Sequence, residues 1–121
     1  MLKEHKEFYT IDIKNDWEPV PGYPKGITQK ILTGHLDEIN NSGTRSRLLK
    51  FEAGAFTTIP FRHDYWEEVF LASGTLTVGG VTYSPMTYAC RPPDAYHGPF
   101  KSDDGCILFE IHYFNPLTKE N

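Results

Sequence analysis

Proline and glycine interrupt this chain so often that no long helix fits between them. The 10 glycines and 9 prolines cluster in PVPGYPKG (19 to 26), VGG (78 to 80) and CRPPDAYHGP (90 to 99), and each cluster breaks any apolar period of 3.6 residues. Short runs rich in Ile, Val, Thr, Phe and Tyr lie between them. These runs predict strands at about 27 to 34, 44 to 52, 55 to 62, 66 to 72, 74 to 78, 81 to 83, 86 to 90 and 105 to 114. Many short strands with tight turns and no intervening helix make an all-β sandwich or barrel.

The 121 residues suit a single domain, with 1-26 as an N-terminal arm, 27-114 as the β-barrel core and 115-121 as a C-terminal tail. A formal net charge of -4, with no run of Lys or Arg, argues against nucleic acid and anionic membrane as partners. No apolar stretch has the length of a membrane span, and MLKEHKEFYT lacks the apolar core of a secretion signal, so a cytoplasmic location is expected. Cys90 and Cys106 form no CxxC pair and sit in apolar sequence. Free, buried thiols are expected, although the sequence leaves a disulfide open.

The segment FRHDYWEEVFLASG (61 to 74) carries more charge than a buried strand tolerates. Alternation puts Phe61, His63, Tyr65, Glu67, Val69 and Leu71 on one face and Arg62, Asp64, Trp66, Glu68 and Phe70 on the other. An imidazole and a carboxylate thus share a face with Phe61, Val69 and Leu71, where burial costs free energy without a partner. Two readings compete: a His–Glu hydrogen bond inside the core, or a cation held by both groups. His97, in RPPDAYHGPF, supplies a third donor if its turn lies beside His63. Two imidazoles and a carboxylate on one side of an ion leave positions open, an arrangement associated with non-haem Fe(II) chemistry.

The two segments together resemble the cupin motifs G(x)5HxH(x)3,4E(x)6G and G(x)5PxG(x)2H(x)3N. Gly54, His63, Glu67 and Gly74 match the first; Pro92 and His97 match the second. Phe61 stands where the first motif has its first histidine, and Met86, Asp94 and Lys101 stand where the second has Gly, Gly and Asn. The wording HDYWEEVFLASG and YACRPPDAYHGPF is similar to small cupins like the metal-binding domain of the ChrR anti-sigma factor, and to acetylacetone-cleaving dioxygenases.

That resemblance implies a single-domain jelly-roll barrel with a divalent transition metal held by His63, Glu67 and His97. Fe(II) is the first choice, with Zn, Mn and Ni as alternatives. Phe61, Tyr65, Arg91, Tyr96, Phe100, Phe109 and His112 are the expected pocket residues, Val69 lying beside them. Arg91 is a candidate for a substrate carboxylate, and His112 a candidate to replace the missing histidine. The expected partner is a small oxygenated substrate, and the expected activity that of a dioxygenase of diketone or hydroxy-ketone type, with Tyr65 and Glu67 as catalytic candidates. Tyr65 would donate a hydrogen bond to developing negative charge. The alternatives are a non-catalytic metal- or ligand-binding sensory module and a polyketide-cyclase- or isomerase-like cupin without metal. A homodimer is expected, the segment WEPVPGYPKGITQKIL adding to a neighbour's sheet.

Overall fold

A computed structural model describes residues 3–114. Among them lie nine strands and no helix: β1 (Glu18–Pro19), β2 (Ile27–Asp37), β3 (Ser42–Phe51), β4 (Trp66–Gly74), β5 (Leu76–Val78), β6 (Val81–Tyr83), β7 (Thr87–Arg91), β8 (Phe100–Lys101) and β9 (Cys106–Tyr113). A six-stranded sheet runs β1-β2-β3-β9-β4-β7, and a three-stranded sheet runs β6-β5-β8. All pairings are antiparallel. The architecture is an all-β jelly roll. No helix among the described residues is long and apolar enough to cross a membrane.

Alternation positions the interior. Along β9, Cys106, Leu108, Glu110 and His112 are buried while Ile107, Phe109, Ile111 and Tyr113 are half-buried, the period expected when only one sheet face meets the core. Along β4 the buried set is Glu67, Val69 and Leu71, the parity read from the sequence. Because β9 pairs with both β3 and β4, its inward side chains align with theirs in rows across the sheet. One row is Arg45, His112, Glu67 and Arg91; the next is Arg47, Glu110, Val69 and Ala89; the next is Leu49, Leu108, Leu71 and Thr87. The interior therefore grades from charged to apolar along the strands. Ile27, Leu49, Phe51, Leu71, Leu76 and Leu108 are the centre of the apolar part.

Several expectations need correction. The segment 55 to 62 is a loop, held by the bridges Phe56↔Lys101 and Phe61↔His97 and by hydrogen bonds between Thr57 and Phe100, and Pro60 has no N–H to donate to a ladder. The short strands β1 and β8 gave no sequence signal. Cys90 is exposed on β7 while Cys106 is buried, and both thiols are free. The N-terminal arm pairs with its own chain: Glu18 and Pro19 lie opposite Gln29 and Thr28, the Lys3 amine donates to Ser46 Oγ at 2.8 Å, and Trp17 lies under the Lys30 and Lys50 amines.

Turn chemistry explains two departures from the cupin motifs. Met86 and Asp94, standing where the second motif has glycine, both adopt left-handed backbone, with φ of +74° and +67°. The conformation is kept without the residue that adopts it most cheaply. At Gly74 the glycine is needed, because its φ is +79° and a Cβ there would run into the Gly105 carbonyl oxygen.

Candidate metal centre

Two loops and one strand build the site. The Phe61 and His97 backbones exchange hydrogen bonds at 2.8 and 2.9 Å, and the Asp94 amide donates to the His63 carbonyl at 2.6 Å. This pairing fastens the proline turn to the loop entering β4 and so brings His97 next to His63, their ring centroids 5.1 Å apart. Glu67 enters from β4. One donor atom from each of His63, Glu67 and His97 lies within 4.8 Å of the others. Ligands about 2.0–2.2 Å from a common ion stand at most about 4.4 Å apart, so the three donors need only a small approach to share one.

The hydrogen bonding around these groups tests whether a cation fits. His97 Nδ1 lies 3.2 Å from the Ala95 carbonyl; an oxygen of that kind only accepts, so Nδ1 carries the proton and Nε2 presents its lone pair. That lone pair faces Glu67 Oε1 at 3.4 Å, one acceptor aimed at another. His63 Nε2 is buried with no hydrogen-bond partner among the described residues. Unpaired buried groups are costly, and a cation among the three would satisfy all of them. Burial pushes His63 down to about 4, against the pull of Glu67, and lowers His97 as well. Both imidazoles are thereby kept as neutral donors, the form that binds metal.

Glu67 is gripped from both sides. Arg91 Nη1 donates to its Oε1 at 3.0 Å, and His112 Nε2 meets its Oε2 at 2.9 Å. His112 is fully buried. Its Nδ1 receives Arg45 Nε at 3.1 Å and Arg45 Nη2 at 2.8 Å, which forces the proton onto Nε2 and makes that nitrogen the donor to Glu67. His112 thus orients the carboxylate and has no lone pair left for an ion. Glu110 reaches the same cluster, its Oε1 3.4 Å from His112 Nε2, and is held by Arg47 through Nε and Nη2, both at 2.8 Å.

The other expected pocket residues divide. Phe100 lines the interior cavity with Glu67, Arg91, His97 and Val69. Phe61 stacks on Tyr23 at 4.6 Å, and Tyr65 stacks on His63 at 4.6 Å with planes 9° apart. Burial and the nearby Glu67 carboxylate raise the Tyr65 phenol well above its ordinary range, so it keeps its proton. Tyr96 is 68% exposed beneath the Arg62 guanidinium, and Phe109 projects from the outer face with Phe70 and Ile111; neither lines the pocket. Tyr96 lies on the outer side of the proline turn, and Phe109 has the wrong parity between the inward Leu108 and Glu110. Arg91 is engaged by Glu67 and does not stand free for a substrate carboxylate.

Arg45, Arg47 and Glu110 were not expected in the site. The signal was present in RSRLLKF and CILFEIHY, where these residues alternate in phase with Leu49, Phe51 and Leu108.

Comparison with known proteins agrees with this fold. The model of the ChrR Cupin-like domain family matches residues 5–114. The chain is a ChrR-like cupin. Among solved structures, an RmlC-like cupin from Shewanella frigidimarina is similar at 19% identity and TM-score 0.63, covering 93% of both chains. An acetylacetone dioxygenase from Acinetobacter johnsonii is similar at 22% identity and TM-score 0.66, covering 92% of this cupin and 76% of the dioxygenase. The anti-sigma ChrR of Rhodobacter sphaeroides, solved in complex with SigE, is similar at 17% identity and TM-score 0.59, with 82% of this cupin matching 50% of that chain. At these identities the likeness is one of fold. Comparison with curated protein sequences finds no match.

Proposed function

We propose that this cupin is a metal-dependent enzyme acting on a small oxygenated organic compound, with a dioxygenase of diketone or hydroxy-ketone type as the best-supported reaction class. The observation that carries the reading is the buried, unpartnered His63 Nε2 beside the facing acceptors His97 Nε2 and Glu67 Oε1. His63, Glu67 and His97 would hold the ion, Fe(II) being the first choice. When bound, such an ion supplies Lewis acidity and redox chemistry.

The chain's own residues do the rest. Arg91 and His112 keep Glu67 in place, each using one carboxylate oxygen and leaving further lone pairs for the ion. Phe61, Tyr23 and Phe100 wall the site with aromatic surface and limit water. Tyr65, retaining its proton against the face of His63, is the candidate to donate a hydrogen bond to a substrate oxygen as negative charge builds on it. Likeness to the acetylacetone dioxygenase supports this choice of reaction class. Membership of the ChrR-like family favours one alternative, a metal- or ligand-binding sensory module. The homodimer belongs to the same proposal, with the half-exposed Phe70, Phe109 and Ile111 as candidate contact surface.

The test is metal content followed by oxygen uptake. Purified protein is expected to hold about one divalent transition ion per chain. His63→Ala and His97→Ala are expected to lose it. His112→Ala retains the ion at saturation, with affinity about 10- to 100-fold weaker, the usual effect of removing a group that orients a ligand. Equal metal content in all three variants removes the site. Ion-dependent oxygen uptake with acetylacetone or a hydroxyaryl ketone supports the enzyme, and metal loading without uptake across the panel supports the sensor.

A further inference from the structure

A second cavity, of about 500 Å³, opens beside His63 and is lined by Tyr23, Gln29, Arg45, Arg47, His63 and Tyr65. It shares Tyr23 with the interior cavity, which Glu67 and His97 line. Its charges are not all paired. Arg47 has Glu110 at 2.8 Å and Arg91 has Glu67 at 3.0 Å, but Arg45 has no carboxylate within ion-pair distance among the described residues. Its Nε and Nη2 are spent on the imidazole nitrogen of His112, and its Nη1 has no partner there.

Two further polar groups of this wall can donate. The Tyr65 hydroxyl makes no hydrogen bond among the described residues. The Gln29 amide uses its oxygen to accept from Arg47 Nη1 at 2.8 Å, and its nitrogen has no partner among the described residues. One carboxylate, that of Glu38, stands among the lining residues, and it is exposed at the rim. A half-buried guanidinium flanked by donors asks for a ligand that only accepts. Burial and the neighbouring Arg47 lower Arg45 from its ordinary value, outweighing the opposing pull of Tyr65, Glu110 and Glu38.

Building on the metal reading above, we infer that this mouth is a carboxylate subsite, and that the substrate class is an oxygenated organic acid, such as a keto acid or diketo acid. Its carboxylate pairs with Arg45 Nη1, while its ketone oxygens turn toward the His63, Glu67 and His97 cluster. The Tyr65 hydroxyl and Gln29 nitrogen supply further donors. The sequence expectation gave a substrate carboxylate to Arg91, but Arg91 is already paired with Glu67 at 3.0 Å, whereas Arg45 has no ion-pair partner among the described residues.

Two probes that differ by a carboxylate in place of a methyl group test this: 2,4-dioxopentanoate and acetylacetone. Their dissociation constants are measured by calorimetry on protein loaded with Zn(II), which permits no redox turnover. The acid is expected to bind about tenfold more tightly or better, the scale of one hydrogen bond to a charged group. Arg45→Gln, which can still donate to His112 Nδ1, is expected to erase that preference: in the zinc-saturated variant the ratio of the two dissociation constants falls to about one, whatever the shift in zinc affinity itself. Arg45→Lys is expected to keep part of it. Equal affinities in the parent protein, or a preference that survives Arg45→Gln, overturn the subsite. Zinc content is read first. A chain that takes up no zinc sinks the metal reading alone, and the same comparison on metal-free protein then decides the subsite, an Arg45-dependent preference for the acid supporting it.

Discussion

The two ends of the barrel interior are made by the same four strands and the same alternation, yet they differ in kind. At one end the rows read Arg45, His112, Glu67, Arg91 and then Arg47, Glu110, Val69, Ala89; two residues further along they read Leu49, Leu108, Leu71, Thr87. The apolar end gains free energy by removing carbon from water, a contribution that tolerates modest rearrangement. The charged end works by mutual satisfaction. Each ion there is buried on the condition that a particular neighbour is present, and removing one strands another. The difference teaches that the site's precision comes from interlocked hydrogen bonds, while the scaffold's stability comes largely from the leucine rows beneath it.

The comparison is sharpest at Glu110. Glu110→Gln leaves Arg47 buried without its counter-charge and is expected to cost roughly 3–5 kcal/mol, measured by urea denaturation at neutral pH. The same pair sets an acid limit. Burial alone would raise the Glu110 carboxyl, but Arg47 and His112 overrule it and hold the group well below its ordinary value near 4.5. A carboxyl lowered in the folded chain contributes stability that is complete above the unfolded value and is lost as pH falls toward the folded one. Stability is therefore expected to decline below about pH 4.5, and the Glu110 share of that decline disappears in Glu110→Gln. A parent and variant with the same acid profile would mean the pair is not coupled to folding.

One row away, Leu108→Ala removes a buried side chain from the apolar end and is expected to cost about 2–5 kcal/mol, centred below the loss at Glu110. Its metal content should be unchanged. A loss of metal in this variant would show that the two ends are not separable. The smallest effect lies outside both, at the turn entering β7. Met86 is 81% exposed at a φ of +74°, and its amide donates to the Leu71 carbonyl at 3.1 Å. Met86→Gly keeps that bond and removes the Cβ clash, for an expected gain of about 1 kcal/mol, read as a rise in melting temperature.

Much of this was legible in the chain, and the failures have identifiable causes. The parity of Tyr65, Glu67, Val69 and Leu71 followed from strand alternation alone, as did the absence of helix from the spacing of proline and glycine. The same alternation, extended to RSRLLKF and CILFEIHY, would have turned Arg45, Arg47 and Glu110 inward. Charged residues there suggested solvent, because burying one is costly until its partner is known. Tyr96 and Cys90 went the other way: both occupy sequence that reads as apolar, and both face outward, since a loop or an edge strand need not follow the pattern of a central one.

The amino-acid order by itself determined the fold class, the inward face of β4 and the three residues His63, Glu67 and His97 as donors worth bringing together, because these depend on backbone restriction, a period of two and side-chain chemistry. Tertiary structure alone decided that Phe61 and His97 pair across two loops, that His112 orients Glu67 instead of standing free, and that Arg91 is neutralised while Arg45 is not. Those outcomes rest on contacts between residues 24 to 67 positions apart, and no local preference encodes which charge will find which partner.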